Sequence, residues 1–324
     1  MLVFIIRRLM QAALVVAVMS VLVFVGIYLI GDPLAILVSP EATELDREEI
    51  ARSLGLDRPV WEQYFTFLTA AVQGDFGKSF VFGQPSLGLI LERMPATLEL
   101  ALTATIMAVV IGVPLGLYAG LRHETIGARA IMAGSVLGFS LPNFWVGLML
   151  IMLFAVQFGW LPASGRGQTV EVLGIELSVF TANGWKHIIL PAITLGLSKC
   201  ALIIRLARAT AREVMLMDYV KFARAKGLDE KRVIGVHILK NIMVPITTVT
   251  GLELGALIAF AVITETIFSW PGMGKLLIDS IIHLDRPVVV AYLIVVVLLL
   301  VAINLIVDIL YSVLDPRVRL GGAK

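Results

Sequence analysis

Long apolar runs, each about the length of a membrane span, most limit what this chain can fold into. The first run, 9–30, has 22 residues without a charge. A helix needs about 20 such residues to cross the hydrocarbon core of a bilayer. Similar runs recur along the 324 residues, and only 15% of the chain is charged, against roughly 25% in soluble domains. The sequence therefore predicts an all-α integral membrane protein.

The spacing of the runs predicts six transmembrane helices. The first run is longer than the roughly 7–15 apolar residues of a signal peptide and ends without its small-residue cleavage site. We therefore expect residues 1–30 to form an uncleaved anchor helix. The other five predicted spans, the second of them broken around Leu141-Pro142-Asn143, lie at 95–120, 131–158, 186–204, 241–268 and 288–314.

Polar segments between the spans define the remaining predicted domains. Residues 31–94 carry ten acidic and five basic residues, and we expect a small external lobe there with short amphipathic helices near 43–53 and 59–72. The alternating pattern at 167–180 predicts a small hairpin. The transmembrane core then extends over 95–314, and a short tail follows at 315–324.

The distribution of Lys and Arg predicts the orientation in the membrane. Six spans place both termini on one side. The N-terminus, the turn at 121–130, the segment 205–240 and the tail together hold 16 Lys and Arg, whereas the three opposite loops hold 8. Basic loops stay in the cytoplasm during insertion. Both termini and the segment 205–240 are therefore expected in the cytoplasm.

Enzymatic chemistry of the usual kinds has little support in the sequence. The single cysteine, Cys200, allows no internal disulfide, and the four histidines are scattered without metal-ligand spacing. The string GDFGKS ends like a phosphate-binding loop, but Val72 stands where that motif requires its first glycine. We expect no metal, no cofactor and no catalytic residue in this chain.

The segment 205–240 is a charged island between two apolar runs. On a helical wheel, residues 211–226 form an amphipathic helix that gathers four apolar side chains on one face: Leu216, Tyr219, Val220 and Ala223. Gly227 fits the position after the helix end, and Asp229 fits the N-cap of a second short helix. The residues alone favour equally a docking site for another protein and a linker that binds anionic lipid headgroups.

This segment resembles the cytoplasmic coupling loop of ATP-binding cassette (ABC) importer permeases, most closely the dipeptide/oligopeptide/nickel family and its first, B-type, subunit. The matching residues are Asp218-Tyr219-Val220, Ala223 to Leu228, His237, Leu239, Asn241 and Pro245. Further matches include GDFGKS, Pro95-Ala96-Thr97, Leu141 to Trp145, Leu161-Pro162-Ala163, Glu265 to Gly272, and Asn304 to Arg317. Lys221 and Phe222 depart from the general loop, which has Glu and Ala there, but the peptide branch also lacks that Glu.

The resemblance implies a permease subunit of an ATP-driven importer that forms half of the path for di- or oligopeptides or similar small solutes. Its implied partners are a homologous second permease, two ATPases that use ATP and Mg, and an external substrate-binding protein. The implied location is the bacterial inner membrane. The implied ATPase-coupling residues are Asp218, Tyr219, Ala223, Arg224, Ala225, Lys226, Gly227 and Leu228. The implied residues of the path or its gate are Asn143, Glu265, Trp270, Pro271 and Gly272.

Ionisable and amide side chains inside the predicted spans leave a second function open. These residues are costly in lipid and should face the bundle or an interface: Glu99, Lys199, Glu253, Glu265, Asn304 and Asp308. Structural hydrogen bonding, a proton relay or a place along the solute path would each explain them. A self-sufficient secondary transporter, the alternative function, predicts ion-binding charges and an inverted repeat, and neither is clear. The sequence leaves open which solute is carried.

Overall fold

The computed structural model describes residues 2–29, 44–45, 51–52 and 57–314. Most of the expected helix near 43–53 and all of the tail 315–324 therefore lie outside the described residues. The helices are α1 (Leu2–Leu29), α2 (Val60–Val72), α3 (Ser86–Leu121), α4 (Ile126–Ser140), α5 (Asn143–Leu150), α6 (Ala182–Met215), α7 (Asp218–Ala225), α8 (Glu230–Arg232), α9 (Leu239–Ile267), α10 (Met273–Ile282) and α11 (Arg286–Leu314). The strands are β1 (Val170–Val172) and β2 (Ile175–Leu177), and π-helical segments follow α5 (Ile151–Gln157) and α8 (Val233–Ile238).

Within the described residues, four helices are long and apolar enough to cross a membrane: Ser86–Leu121, Ala182–Met215, Glu230–Ile267 and Arg286–Val307. The pair Ile126–Ser140 and Asn143–Gln157 makes a fifth span if it is counted as one, although it bends by 105°. That bend lies where the sequence predicts a break. The apolar part of α1, Ala13–Gly26, is shorter than a span. The helical membrane class is confirmed, and the count of six spans stays a prediction.

The chain divides into two compact units, of which the first is Met1–Pro95 with Pro271–Ala302. Its core packs the side chains of α1 and α11 with apolar residues from α2 and the loop after it: Val23, Phe67, Phe76, Val290, Leu293 and Ile294. The ring of Phe24 meets Tyr64 edge-on at 5.3 Å, and the Tyr64 hydroxyl bonds Ser20 at 3.0 Å. The predicted amphipathic helix at 59–72 is confirmed as α2.

The loop that carries GDFGKS surrounds a carboxylate of the same unit. Asp285 is fully buried and accepts a hydrogen bond from the Ser79 hydroxyl. It also accepts the amide of Phe80 at 3.0 Å. Gly77, at φ 80°, supplies the left-handed turn that starts the loop. The amides that could have cradled a phosphate are therefore directed at the chain's own carboxylate.

The second unit, Ala96–Trp270 with Ile303–Lys324, is built on a tight contact between α3 and α6. Glycines at Gly112, Gly116 and Gly120 repeat every fourth residue and so lie on one face of α3. A Cβ at Gly116 would lie 2.5 Å from the carbonyl oxygen of Ile204. Small residues at this spacing let membrane helices approach backbone to backbone. The apolar runs alone do not reveal this contact, whereas the four-residue spacing of the glycines is a sequence signal for it.

The polar segment between α5 and α6 contains the predicted hairpin. Val170 pairs with Leu177 and Val172 with Ile175. The two-residue turn has positive φ at both Leu173 (53°) and Gly174 (79°), which matches the twist of the flanking strands. The hairpin prediction is thus confirmed, and its second strand leads directly to the N-terminus of α6.

Candidate coupling surface

The charged segment contains two helices where the sequence predicted one. We expected a continuous helix over 211–226, but α6 ends at Met215 and α7 starts at Asp218. Between them Met217 adopts an extended conformation, with φ −70° and ψ 144°. No glycine or proline marks this break, so residue pattern alone gave no signal. The break frees α7 to lie as a short separate helix beside the ends of the spans.

Gly227 ends α7 as predicted. It has φ 75°, a conformation that costs a residue with a Cβ about 1–2 kcal/mol. Its amide bonds the carbonyl of Arg224 at 2.9 Å, and the amide of Leu228 bonds the carbonyl of Ala223 at 3.3 Å. This pair of bonds is the Schellman arrangement. Leu228 then packs against the apolar core beneath. The turn therefore fixes the end of α7 to the rest of the unit.

Two side chains anchor α7 on the interior. Val220 is fully buried and Ala223 almost so. Both belong to one apolar cluster that continues through α3, α6 and α9: Ala108, Val113, Ile203, Ala207, Ala211, Val214, Val233, Ile238, Ile242 and Ile246. The resemblance implied that Ala223 contacts a partner, yet its methyl group faces the chain's own core. The buried face of α7 is therefore packed directly onto residues of three span helices.

Four large apolar side chains at α7 remain uncovered by the chain. Their exposures are 72% for Leu216, 41% for Met217, 43% for Tyr219 and 61% for Phe222. We call these four residues the coupling patch. The wheel grouped Leu216 and Tyr219 with Val220 on one apolar face, whereas in the structure Val220 is buried and the other two are exposed. Phe222, one of the two departures from the general loop, was missed as a site residue although an aromatic in a charged segment is a visible signal.

Charged side chains surround the coupling patch. The Lys226 ammonium lies 4.5 Å from the ring centre of Phe222, and Lys221 pairs with the exposed Asp218 at 3.2 Å. Ala225 is also exposed. Asp229 precedes α8 as predicted, but its side chain makes no capping hydrogen bond. An apolar centre with a charged rim is the usual composition of a protein interface.

Arg224 joins α7 to α8, in the charged segment that precedes the apolar part of α9. Its guanidinium bonds Glu230 at 2.6 Å. This hydrogen bond lowers the pKa of Glu230 below its ordinary value and raises the pKa of Arg224. Both groups therefore stay charged across the neutral pH range. Because both side chains are about half exposed, the pair orients the two helices and adds little stability.

Two predicted gate residues meet at the N-terminal part of α3. Glu265 is fully buried and accepts the Thr97 hydroxyl at 2.6 Å. Trp270 is also fully buried, and its indole N–H donates to the carbonyl of Ala96 at 2.9 Å. The amide of Trp270 bonds the carbonyl of Glu265 at 2.8 Å. Residues at the end of α9 are thus held to α3, and sequence reasoning did not name Thr97 or Ala96 as their partners.

A buried ion pair lies in the same unit. Glu99, whose side chain is 2% exposed, pairs with Arg166 at 2.7 Å. The second carboxylate oxygen accepts the amides of Ser178 and Val179 at 2.5 and 2.8 Å. The expectation that Glu99 faces the bundle is met, and its role is to fix the hairpin loop. The partners are 67 residues apart in sequence, so residue pattern could not pair them.

The other predicted polar and gate residues lie apart from the coupling patch. Asn143 begins α5 directly after the bend at Pro142, and Gly272 is the N-cap of α10. Lys199 of α6 pairs with Glu253 of α9. Asn304 is exposed on α11, whereas the side chain of Asp308 lies outside the described part. Pro142 and Gly272 thus mark helix ends, whereas Pro114 and Pro191 lie inside α3 and α6.

Comparison with known families decides the class of protein. Residues 112–320 match the family described as binding-protein-dependent transport system inner membrane component. Residues 1–101 match the N-terminal membrane component of the same kind of transport system. The chain belongs to this family. It is a permease subunit of an ABC importer, a transport subunit of the inner membrane, and the alternative of a self-sufficient secondary transporter is set aside.

Curated relatives match over nearly their whole length. The dipeptide transport system permease protein DppB of Escherichia coli K12 is 38% identical, over 98% of this chain and 99% of that protein. The oligopeptide transport system permease protein AppB of Bacillus subtilis is 39% identical over the same shares. The glutathione transport system permease protein GsiC of Escherichia coli K12 is 37% identical, again over 98% and 99%. The predicted peptide-type branch is confirmed by this similarity.

A solved structure shares the fold. The inward-facing MetNI methionine ABC transporter aligns with 70% of this chain and 96% of its own chain, with a TM-score of 0.54. The two sequences are 16% identical in that alignment. The likeness therefore concerns the helical architecture of the permease.

Proposed function

We propose that this permease forms half of an ATP-driven path for short peptides across the inner membrane. It works with a homologous second permease, two cytoplasmic ATPases and an external substrate-binding protein. The names of the relatives support peptides as the solute, since they are permeases of dipeptide, oligopeptide and glutathione systems. Hydrolysis of ATP with Mg belongs to the ATPases, and both termini of the permease lie in the cytoplasm.

The coupling patch is the observation that carries this proposal. Four large apolar side chains project from α7 and the two residues before it, in a basic segment that the charge distribution predicts to be cytoplasmic. Exposed apolar clusters with a polar rim mark protein contacts. An ATPase groove that receives α7 would cover Phe222 and Tyr219 at its centre. Lys221 and Lys226 would then lie at the rim of the contact.

The packing below α7 explains how docking could drive transport. Val220 and Ala223 join the cluster that continues into α3, α6 and α9. The Arg224–Glu230 pair and the turn at Gly227 fix the C-terminal end of α7. When the two ATPases close on ATP, they displace α7, and the span helices follow because a packed interior transmits displacement. The path then alternates between outward and inward access.

We also propose that the end of α9 contributes to the outer gate. Glu265 and Trp270 are held to the start of α3 by hydrogen bonds to Thr97 and Ala96. Breaking either hydrogen bond would cost about 1–3 kcal/mol for a group that stays buried and unsatisfied, so this contact would resist opening until the helices move. Pro271-Gly272 would act as the hinge beyond them, and Asn143 as part of the path.

Reconstitution tests the proposed function. The permease, its second permease and its two ATPases are placed in proteoliposomes with the binding protein inside or outside, and radiolabelled di- and tripeptides are supplied. We expect uptake that requires the binding protein, MgATP and both ATPases. Uptake that follows a proton gradient and continues when the ATPases are omitted would contradict the proposal.

A further inference from the structure

The pair of Lys199 and Glu253 lies deep in the membrane-spanning part of the second unit. Lys199 is near the middle of α6, about 25 Å from each helix end at 1.5 Å per residue. Each is the sole charged side chain of its apolar stretch, 188–204 and 241–264. The Lys199 ammonium donates to the Glu253 carboxylate. A charged pair at this depth is a candidate functional site by its cost alone.

The pair is not enclosed by the chain. The side chain of Lys199 is 25% exposed and that of Glu253 is 32% exposed. This contrasts with Glu99, whose side chain is 2% exposed and accepts three donors that fix a loop. Exposed ion pairs contribute little to stability because water and competing ions screen them. Lys199 and Glu253 remain accessible to a ligand with matching charges.

A cavity adjoins the pair on the side of α3 and α9. Its volume is about 300 Å³, and its wall includes Val109, Ile246, Leu254 and Val307. A narrower pocket next to it contains Lys199 and Glu253, and Thr105 and Thr250 line both. The Thr250 hydroxyl is buried and has no hydrogen-bond partner among the described residues. An apolar cavity with charges at one end and an unused polar atom has the composition of a ligand site.

We propose that this is a mid-membrane subsite for a short zwitterionic peptide, in which Lys199 binds the carboxylate and Glu253 the ammonium group. The inference rests on the proposed function, because it takes peptides as the solute. Without a peptide the two side chains neutralise each other. A bound peptide replaces the ion pair between Lys199 and Glu253 by two new ion pairs, one with each terminus of the peptide. No charge is then left unpaired in the membrane. Its apolar side chains enter the adjoining cavity, whose volume of about 300 Å³ is within the usual range of ligand pockets.

Binding of terminally blocked peptides tests the subsite. The complete transporter is placed in nanodiscs without binding protein, and equilibrium dialysis measures radiolabelled dialanine, N-acetyl-dialanine and dialanine amide. We expect wild type to favour dialanine at least tenfold. Glu253→Gln should abolish the preference over the acetylated peptide, and Lys199→Met the preference over the amide. The combined Lys199→Met and Glu253→Gln variant keeps similar side-chain volumes and should lose both preferences.

A matched ion pair provides the control. Lys275 and Asp279 pair at 2.6 Å with similar exposure on α10, and Lys275→Gln with Asp279→Asn should leave all three affinities within twofold. Equal wild-type binding of the three peptides, or none, would overturn the subsite. So would an equal loss for all three in the Lys199 and Glu253 variants, as expected of a purely structural pair. ATP-driven peptide uptake that persists in those cases would leave the proposed function standing, whereas its absence in wild type would overturn both.

Discussion

The contact between α3 and α6 buries its surface within the chain, whereas the coupling patch leaves apolar side chains exposed. At the first, Gly112, Gly116 and Gly120 bring two backbones together, and a single Cβ at Gly116 would lie 2.5 Å from a carbonyl oxygen. At the second, Phe222 is 61% exposed on a helix whose opposite face is fully buried. The first surface is fully covered within one chain. The second is covered only on the face of α7 that packs against the chain's own core, and its outer face is exposed.

This difference separates what the chain needs to fold from what it needs to work. Substitutions in the helix contact should impair folding, most of all at Gly116, where the nearest atom is the backbone oxygen of Ile204. Substitutions in the coupling patch should leave folding intact and weaken binding to a partner. The cluster around Val220 joins the two regions, so it should show both effects. Four substitutions test this division, in order of expected size.

Gly116→Val should have the largest effect. Its side chain must separate α3 from α6, and we expect a loss of about 3 kcal/mol or more in the free energy of unfolding. Thermal unfolding in detergent and the amount of protein in the membrane measure it. Gly134→Val is the matched control, because a Cβ at Gly134 meets nothing within 4 Å. Equal stability of the two variants would contradict the close contact.

Phe222→Glu should weaken ATPase binding by roughly thirtyfold, or about 2 kcal/mol, because it places a charge at the centre of an apolar contact. Membrane levels should equal those of wild type. Titration of purified ATPase onto permease in nanodiscs measures the affinity. Lys221→Gln, on the neighbouring exposed residue, should change it less than threefold. If the two variants bind alike, the coupling patch is not the contact.

Gly227→Ala should have an intermediate effect. The new Cβ meets no atom within 4 Å, but φ is 75°, so the cost of about 1 kcal/mol is conformational. We expect a several-fold drop in peptide-stimulated ATP hydrolysis. Gly227→Asn should restore most of it, because Asn tolerates this conformation better. An Ala variant as active as wild type would show that the Schellman turn does not matter for coupling.

Arg224→Gln should have the smallest effect. The ion pair with Glu230 is about half exposed on both sides, and such pairs contribute about 0.2–1 kcal/mol. We expect ATPase affinity to fall less than fivefold, and wild type to approach the variant as salt is raised. Glu230→Gln should match it. A large, salt-independent loss would mean that Arg224 contacts the ATPase directly.

The sequence predicted the features that depend on local pattern. The length of the apolar runs predicted membrane-spanning helices, and Pro142 predicted the bend. Alternation of apolar and polar residues predicted the hairpin, and Gly227 predicted the end of α7. Each follows from the conformational preference of a few neighbouring residues. The family resemblance identified the charged segment as a site of protein contact. Local pattern alone favoured a protein contact and a lipid contact equally.

Features that depend on distant parts of the chain could not be predicted. The helix break at Met217 has no turn residue, and it separates Leu216 from the helix that carries Tyr219 and Val220. Burial of Ala223 depends on packing by α3, α6 and α9. The pair of Glu99 with Arg166 likewise joins residues that no periodicity relates. The division of α7 into an inner and an outer face therefore required the structure.

Site-directed crosslinking at α7 tests the central claim most directly. In a Cys200→Ser background, which removes the sole native cysteine, Phe222→Cys and Val220→Cys are each labelled with a short photoreactive group. The labelled transporter is assembled with its ATPases in nanodiscs that contain anionic lipid. We predict a crosslink from position 222 to an ATPase and none from the buried position 220. A crosslink from position 222 only to lipid would contradict the account.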